Sequence, residues 1–275
     1  MGQLKWGIIG CGDVTEIKSG PAFNKVQNSS LVAVMRRDAE KAADYAQRHG
    51  VVRWYSNAED LINDPEVNAV YIATPPLQHE LYTEMALAKG KPVYVEKPMT
   101  LNTASALRMK TASEKYGVKL SVAHYRRSQP MFLKIKELLD EQVIGDVRHA
   151  TLTMYQSEKN ELIANSETNW RLDPKISGGG LFHDLAPHQL DLMIFYFGDV
   201  SESHGIAVNH TKKHDADDFV TGHMLFKSRV VFTGTWCFSV APGQESDQCV
   251  ILGLKGAISF PIFGNKISGI VDSGQ

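Results

Sequence analysis

The chain has 275 residues, of which 43% are hydrophobic and 22% charged, and its formal net charge is −2. This composition is that of a globular protein, and the length suits one large domain or two of ordinary size. The nearly balanced charge gives no electrostatic reason to bind nucleic acid or an anionic membrane, so neither is expected as a partner.

The cysteines and the opening segment indicate a cytoplasmic protein. The three cysteines, Cys11, Cys237 and Cys249, form neither a metal-type pair nor a disulfide framework, which is typical of a reducing compartment. The segment "MGQLKWGIIG" leads into a strand and lacks the basic-then-apolar pattern of a leader. No apolar stretch is long enough to span a membrane.

Strand and helix patterns alternate through the first half of the chain. The apolar runs are "LKWGII", "LVAVM", "NAVYIAT", "KPVYV" and "VKLSVAH", and the helical patterns are "DAEKAADYAQRHG", "LQHELYTEMALAKG" and "NTASALRMKTASEKYG". Each helical pattern ends in glycine, as helix C-termini commonly do. The alternation predicts right-handed βαβ units and therefore a Rossmann-type, doubly wound parallel sheet over residues 1–123.

The segment "GIIGCGDVT" carries the first two glycines of a dinucleotide-binding fingerprint. Gly10 permits a tight turn, and Gly12 lets the backbone approach a pyrophosphate at the start of the helix formed by Asp13 and Val14. Thr15 stands at the third glycine position. The alternative is a tight turn without a ligand, but the loop follows the first strand of a βαβ series, which favours the cofactor.

The second strand ends in arginines rather than in an acidic residue. An NAD site usually has Asp or Glu about 20 residues beyond the glycine loop, whereas "LVAVMRRD" has Arg36 at that position and Arg37 beside it. A guanidinium suits a 2′-phosphate because it binds in bidentate fashion. NADP is therefore the predicted cofactor, with NAD as the alternative. The competing interpretation is two solvated arginines before a helix that Asp38 caps.

The stretch "VYVEKPMT" raises the question of what Lys97 does, because adjacent opposite charges rarely end a core strand. Open α/β sheets bind ligands beyond the carboxyl ends of their parallel strands. The residues predicted to face the nicotinamide end are therefore Thr74, Pro75, His79, Glu96 and Lys97. Pro98 suits a rigid turn, for which a cis bond is an option. The alternative for Lys97 is a salt bridge with Glu96 that caps the strand.

The pattern changes near His124. One more helical pattern, "PMFLKIKELLDEQVIG", precedes the long strands "VRHATLTMYQ", "FVTGHMLF", "RVVFTGTWCFS" and "CVILGL". These strands are spaced as hairpins and are predicted to be antiparallel. We therefore expect a second domain over residues 124–275.

The motif "GGGLFHDLAPHQLD" places Asp184, His188 and Asp191 on one face of a helix. A polar stripe among leucines is typical of a cavity lining, and the alternative for His188 is a hydrogen-bonded core histidine. Because Pro187 is awkward in mid-helix, the helix either begins near Asp184 or kinks at the proline. The triple glycine before it predicts a close passage of the backbone. No metal is expected, since a single histidine lies on the stripe.

Five motifs, "GIIGCGDV", "YIATPPLQH", "VEKPMTLN", "VAHYRR" and "GGGLFHDLAPHQLD", resemble the glucose-fructose oxidoreductase/inositol dehydrogenase (Gfo/Idh/MocA) family. The resemblance implies an α/β protein in which a Rossmann domain precedes a substrate-binding and oligomerisation domain with a large, open, mostly antiparallel sheet. It also implies oxidation or reduction of sugars, polyols and related compounds with NAD(P). Association through the open sheet, as a homodimer or homotetramer, is a further implication.

The chain departs from this family pattern in two places. Ala186, next to Pro187, stands where the family motif has glycine. Family chains usually continue into a further helix, whereas this sequence stops at "IVDSGQ". We therefore expect either a longer native product or an oligomer partner that covers the surface left open.

Two more segments carry candidate site residues. Trp170 and Arg171 in "NWRLDP" are similar to a family element near the nicotinamide and its phosphate, with a surface stack as the alternative. Tyr125 and Arg126 in "VAHYRR" are expected to contact substrate. The histidine-rich segment "HTKKHDADD" is typical of a solvated turn.

We therefore expect an NADP-dependent dehydrogenase or reductase of a sugar, polyol or similar hydroxylated ring. His188 would act as general acid/base on the hydroxyl proton, because the ordinary pKa of histidine lies near working pH. Lys97 would hydrogen-bond the same oxygen and stabilise developing alkoxide charge, or would itself donate the proton. Asp184 would position substrate or Lys97, so all three are predicted catalytic and substrate-binding residues.

Two other classes of protein stay open. One is a glycosidase-type enzyme that keeps NAD(P) bound and uses transient oxidation to cleave a glycosidic bond. The other is a regulator that senses the dinucleotide without catalysis. The presence of Lys97, Asp184 and His188 argues against the regulator, because a sensor needs no acid/base pair.

Overall fold

Six strands form a parallel sheet in the first part of the computed structural model, which describes residues 2–17, 19–158 and 169–271. The strand order is β3-β2-β1-β4-β5-β6, and each neighbouring pair is parallel. The strands are β1 (Leu4–Ile9), β2 (Ser29–Met35), β3 (Arg53–Tyr55), β4 (Ala69–Ile72), β5 (Val93–Val95) and β6 (Leu120–Val122). The order reverses between β1 and β4, which is where such a sheet binds its ligand.

The helices between these strands begin and end at capping residues. They are α1 (Asp13–Ile17), α2 (Ala39–His49), α3 (Ala58–Asn63), α4 (His79–Ala88) and α5 (Thr103–Tyr116). The side chains of Asp38 and Asn102 accept hydrogen bonds from the first turns of α2 and α5. Gly50 and Gly117 end the same two helices in the left-handed conformation, as the glycine positions predict.

Both faces of the first sheet are buried. Ile8 packs in one core with Tyr45 of α2, while its neighbour Ile9 packs in another core with Leu61 of α3. A strand covered on both faces has little use for alternating polar residues, which explains the continuous apolar runs in the sequence.

The second sheet has seven strands in the order β13-β12-β11-β7-β10-β9-β8. The neighbours β7 and β10 are parallel, and the other pairs are antiparallel. The strands are β7 (Val147–Tyr155), β8 (Val200–Val208), β9 (Phe219–Phe226), β10 (Val231–Cys237), β11 (Ser246–Gly253), β12 (Gly256–Phe260) and β13 (Ser268–Val271). The predicted fold class, a doubly wound parallel sheet followed by an α/β part with a mostly antiparallel sheet, is therefore confirmed.

Helices cover one face of the second sheet. These helices are α6 (Pro130–Asp140) and α8 (Gly180–Phe197), whereas the short helix α7 (Pro174–Ser177) belongs to the first unit. Phe132 of α6 and Leu192 of α8 pack in one core with Leu152 and Phe232 of the sheet. This core fixes α8, and therefore its polar stripe, on the sheet.

Helix α8 begins earlier than one interpretation of the sequence predicts. It starts at Gly180, four residues before Asp184, and continues through Pro187. A start near Asp184 is therefore wrong. Pro187 lies inside the helix, where it supplies no N–H to the backbone ladder.

The chain groups into two units. The first comprises Met1–Ala123 and Ile163–Gly178, and the second comprises His124–Leu162 and Gly179–Gln275. The described residues 169–178 thus belong with the parallel sheet, although the sequence places them in the second half. In the described part of the chain, no helix has the length and apolar character needed to cross a membrane.

Candidate cofactor and catalytic site

The glycine loop closes tightly against two other strand ends of the first unit. Gly10 has a φ of +93°, and a Cβ placed there would lie 2.8 Å from Thr74 Cγ2. The N–H groups of Gly10 and Cys11 both donate to Met35 O, at 2.9 and 3.1 Å. Glycine is required at this position because the loop after β1 touches the loop after β4 there.

Gly12 borders open space instead. A Cβ at Gly12 would meet nothing closer than Gly10 O at 4.0 Å. Thr74 Oγ1 is buried and has no hydrogen-bond partner among the residues that the structure describes. Beyond Gly12, Asp13 is exposed and Val14 half-buried. The open backbone at Gly12 fits a phosphate-bearing dinucleotide, because a glycine there leaves room for the phosphate to approach the start of α1.

Thr15 takes the third glycine position without leaving a polar group unsatisfied. The residue is fully buried, and its hydroxyl donates to Gly12 O at 2.7 Å. The hydroxyl of Tyr45 in α2 donates to Thr15 O at 2.8 Å. These two hydrogen bonds explain how a threonine replaces the glycine of the fingerprint.

The arginines after β2 differ in their surroundings. Arg36 is half-buried, and its Nη1 donates to Cys11 O in the glycine loop at 3.4 Å. Arg37 is exposed, so the interpretation of a solvated arginine describes Arg37 and not Arg36. Burial raises the pKa of the Cys11 thiol to about 11, which keeps it neutral. Arg36 is therefore the arginine that faces the loop.

The buried His79 ring lies between the loop after β4 and the turn after β5. It is 1% exposed, with Nε2 2.7 Å from Thr74 O and Nδ1 3.0 Å from Pro98 O. Burial lowers the pKa of this imidazole. The contact of His79 with the cofactor stays a prediction, and the contacts that the structure shows are with the backbone carbonyls of Thr74 and Pro98. Its contacts tie the loop after β4 to the turn after β5.

Glu96 holds the backbone that carries Lys97. The Tyr71 hydroxyl donates to Glu96 Oε1 at 2.5 Å, and the Lys97 N–H donates to Glu96 Oε2 at 3.1 Å. Burial, together with the charge of Glu96, raises the pKa of Tyr71, so its hydroxyl keeps the proton that it donates. Lys97 is half-buried, and the Lys97–Pro98 bond is cis. Lys97 therefore extends from a fixed turn at the carboxyl end of β5.

Trp170 and Arg171 stack on each other in the first unit. The Arg171 guanidinium carbon lies 4.4 Å from the Trp170 ring centroid, and Arg171 is buried. The next helix, α7, packs against the turn Pro76–Gln78, which follows Thr74 and Pro75. Because the guanidinium is buried, a surface stack does not describe this pair.

In the second unit, the polar residues of α8 differ in their burial and in their partners. Asp184 is half-buried, and His188 and Asp191 are 5% and 8% exposed. Arg127 donates Nε and Nη2 to the two Asp191 oxygens, at 2.6 and 2.5 Å. This bidentate pair ties α8 to the 3₁₀ turn Tyr125–Ser128, so Asp191 has a structural partner.

Two aromatic rings flank His188. The Tyr125 and Phe263 rings lie 5.3 and 5.9 Å from its centroid, at interplanar angles of 71° and 83°. Tyr125 is also 43% exposed. Sequence reasoning missed Phe263, because no periodic motif connects a residue beyond β12 with α8.

The Arg126 side chain contacts other residues of the second unit. Its Nη1 donates to Ile262 O at 2.6 Å, and its guanidinium carbon lies 4.4 Å from the Phe263 ring centroid. The contact of Arg126 with substrate stays a prediction, and the contacts that the structure shows are with the loop after β12.

The triple glycine brings α8 close to the histidine-rich segment, as predicted. Gly180 has a φ of +73°, and a Cβ there would lie 2.5 Å from Ala216 Cβ. Ala216 and Asp218 are buried, and the Asp218 carboxylate accepts from the N–H groups of His210 and Thr211 at 2.9 Å each. Most of the segment "HTKKHDADD" is exposed, as expected of a solvated turn, and Ala216 and Asp218 anchor it.

Comparison with known proteins decides the family. The model described as an oxidoreductase family with an NAD-binding Rossmann fold matches residues 4–124, and that of the Gfo/Idh/MocA C-terminal domain matches residues 132–259. An oxidoreductase of Formosa agariphila is 49% identical over 275 residues, which cover 98% of this chain and 84% of that protein. The chain belongs to the Gfo/Idh/MocA oxidoreductase family.

Other members of the Gfo/Idh/MocA family are more distant. The 1,5-anhydro-D-fructose reductase of Ensifer adhaerens is 27% identical over 230 residues, which cover 82% of this chain and 67% of that protein. A solved structure of levoglucosan dehydrogenase with NADH and L-sorbose has a TM-score of 0.87 at 24% identity, covering 100% of this chain and 78% of that one, and shows the shared fold. The prediction of a nicotinamide-dependent oxidoreductase is confirmed at the level of the family.

Glu16 clamps the short helix α1 of this Gfo/Idh/MocA protein to α2. Its two oxygens accept from Arg48 Nη1 and Nη2 at 2.7 Å each, and His49 Nε2 lies 2.8 Å from Oε2. The Arg48 hydrogen bonds lower the pKa of Glu16 from its ordinary 4.5 to about 2, against the opposite effect of burial. Because α1 follows the glycine loop directly, the clamp also steadies the loop.

We expect protonation of Glu16 in acid to weaken its contacts with Arg48 and His49. The folded state lowers the Glu16 pKa, so its contribution to the unfolding free energy is complete above pH 4.5 and is lost as the pH falls towards about 2. Arg48 is exposed, so solvent screening keeps this contribution small. Glu16→Gln should therefore lower the unfolding free energy at pH 7 and flatten its decline below pH 4.5, as measured by urea denaturation.

The matched control is Glu40→Gln, which removes an exposed carboxylate at the start of α2. This variant should keep the pH dependence of the unmodified protein. If the unfolding free energies of Glu16→Gln and of the unmodified protein declined in parallel below pH 4.5, the proposed clamp would be contradicted.

Proposed function

We propose that the protein is an NADP-dependent oxidoreductase acting on a hydroxyl-bearing or carbonyl carbon of a sugar, polyol or related hydroxylated ring. The observation that carries the proposal is the turn after β5, where the Glu96 carboxylate and Tyr71 hold the backbone of Lys97. In an open α/β sheet this carboxyl edge faces the ligand. Relatives named for 1,5-anhydro-D-fructose and levoglucosan support the substrate class.

The proposed chemistry divides between the cofactor and the chain. The nicotinamide, when bound, supplies or accepts the hydride. The chain's residues must then hold the substrate, exclude water and move one proton. His188 is the proposed general acid/base at the substrate oxygen, because the ordinary pKa of histidine suits proton transfer near neutral pH.

Lys97 is the proposed hydrogen-bond donor to the same oxygen. A fixed ammonium stabilises the negative charge that develops on an alkoxide, and it does so without reorganisation when its backbone is already held. Asp184, one turn before His188 on α8, is proposed to hold a substrate hydroxyl. The exposed ring of Tyr125, against His188, is proposed to contact the substrate ring.

Arg36 supports NADP over NAD. It stands at the end of β2, where the fold places the ribose of the dinucleotide, and its Nη1 lies 3.4 Å from Cys11 O of the glycine loop. A guanidinium binds a 2′-phosphate through paired, charge-assisted hydrogen bonds. The other proposed cofactor contacts are Gly10, Gly12, Asp13, Val14, Arg37, Thr74, Pro75, Glu96, Lys97, Trp170 and Arg171.

We further propose that the protein forms a homodimer or homotetramer through the open face of the second sheet. The described helices cover the other face, while Ile206, Val231 and Leu252 are 65%, 39% and 41% exposed on this one. Burying these side chains is favourable because it removes apolar surface from water. Sedimentation of Ile206→Glu as a smaller species than the unmodified protein would support this arrangement.

The direct test of function is the absorbance at 340 nm with NADP and NAD against a panel of sugars, polyols and inositols, including 1,5-anhydro-sugars. We expect net absorbance change with NADP for at least one ring of this class. Sugar release from glycosides without net absorbance change would overturn the proposal in favour of transient oxidation.

The cofactor preference predicts the effect of Arg36→Asp. Loss of a bidentate, charge-assisted contact should weaken NADP binding by about 1.5–3 kcal/mol. Binding of NAD should improve, because an aspartate accepts hydrogen bonds from the ribose hydroxyls. Isothermal titration calorimetry with both cofactors measures the change.

The control for this variant is Arg37→Asp, which changes the charge equally on an exposed neighbour. Its effect on NADP binding should be the smaller of the two. Equal affinity of the unmodified protein for NADP and NAD would contradict the proposed preference.

The proposed role of Lys97 predicts the effect of Lys97→Met. Binding of NADP should be nearly unchanged, since the glycine loop and Arg36 provide most of its contacts. Turnover should fall by roughly 10²–10⁴, the usual scale of one acid/base or electrostatic contribution. Steady-state kinetics and the melting temperature should be measured on the same preparation.

Lys91→Met is the matched control, because Lys91 precedes β5 at its other end and donates to Asp64 O at 2.7 Å. It should lower the melting temperature and spare turnover. If Lys97→Met behaved in the same way, Lys97 would be a structural residue of the strand end.

A further inference from the structure

The Arg126 guanidinium lies between two aromatic rings. Its central carbon is 4.4 Å from the Phe263 ring centroid and 5.5 Å from that of Tyr125. Burial lowers the pKa of Arg126, and no hydrogen-bond partner for its Nε lies among the described residues. The cation therefore lies against two ring faces, which attract it through their quadrupoles.

The same arginine fixes the backbone that carries Phe263. Arg126 Nη1 donates to Ile262 O at 2.6 Å. The Asp247 carboxylate of β11 accepts from Ile262 N at 3.0 Å and from Phe263 N at 2.6 Å. Three hydrogen bonds therefore hold two consecutive residues, so the Phe263 ring projects from a rigid position.

Both rings that contact Arg126 also contact His188. Tyr125 meets the imidazole at 71° and Phe263 meets it at 83°, which are edge-to-face arrangements. In this arrangement the edge of one ring points at the face of the other, so each contact favours a particular ring orientation. Two of them restrict rotation of the His188 ring more strongly than burial alone would.

We propose that Arg126 is a positioning residue for His188, acting through the rings of Tyr125 and Phe263. This inference rests on the proposed role of His188 as general acid/base. It gives Arg126 a task different from direct substrate contact. It also assigns to Phe263 and Asp247 a part in orienting the imidazole.

A spectroscopic test follows the imidazole itself and needs no substrate. The protein is labelled with ring-¹³C histidine, and His188→Gln identifies the signal of His188 among the ten histidines. Arg126→Met should shift the His188 signal more than that of any other histidine, because its flanking rings move. Phe263→Leu should shift the same signal, and Phe263→Tyr, which keeps the ring, should leave it in place.

The matched control is Arg148→Met, which removes an exposed arginine of β7. Its spectrum should show the His188 signal unmoved. Should Arg126→Met fail to fold, Arg126→Lys and Phe263→Leu test the same contacts. An unmoved His188 signal in folded Arg126→Lys and Phe263→Leu proteins would overturn the inference.

Kinetics then separate positioning from substrate binding, once a substrate is known. If Arg126 positions His188, kcat should fall by about 10–10²-fold with little change in KM, as for a misplaced catalytic group. A raised KM with unchanged kcat would overturn the inference in favour of direct substrate contact. The histidine spectrum remains informative if the enzyme proves to have a different reaction, so the two proposals fail separately.

Discussion

The candidate site of the first unit depends on how the loops after β1, β4 and β5 are held together. Gly10 allows the first loop to touch Thr74, and His79 links the carbonyl of Thr74 to that of Pro98. Glu96 then engages the next backbone N–H, that of Lys97. These contacts are backbone-directed, so they set loop positions independently of any ligand. A preorganised edge of this kind is what electrostatic catalysis requires.

In the second unit, charged side chains that are buried or half-buried hold the chain in a similar way. Arg127 and Asp191 satisfy each other at α8, and Arg126 supports the two residues after β12 together with Asp247. Burying a charge is unfavourable unless its partners are in place, so such groups hold one arrangement more strictly than apolar packing does. The consequence is a helix face on which the His188 ring has a defined orientation.

Sequence reasoning was most successful where chemistry depends on local spacing. The glycine loop, the carboxyl-edge position of Lys97 and the close passage at Gly180 all follow from neighbouring residues and backbone sterics. It is less informative where one residue type can serve two purposes. A histidine after a strand and an arginine near a substrate site suggest ligand contacts, and in the structure His79 and Arg126 contact backbone carbonyls. Residue identity alone does not say whether a polar group faces solvent or the protein's own backbone.

The sequence by itself determined the alternation of elements, the doubly wound sheet, the helix ends and the family, because periodicity, capping and glycine conformations are local properties. Only the tertiary structure decided which partners meet across long separations. Arg126 and Ile262 are 136 residues apart, and Phe263 reaches His188 only because β12 joins the sheet beside β11. Such contacts arise from strand order and loop closure, which no local pattern encodes.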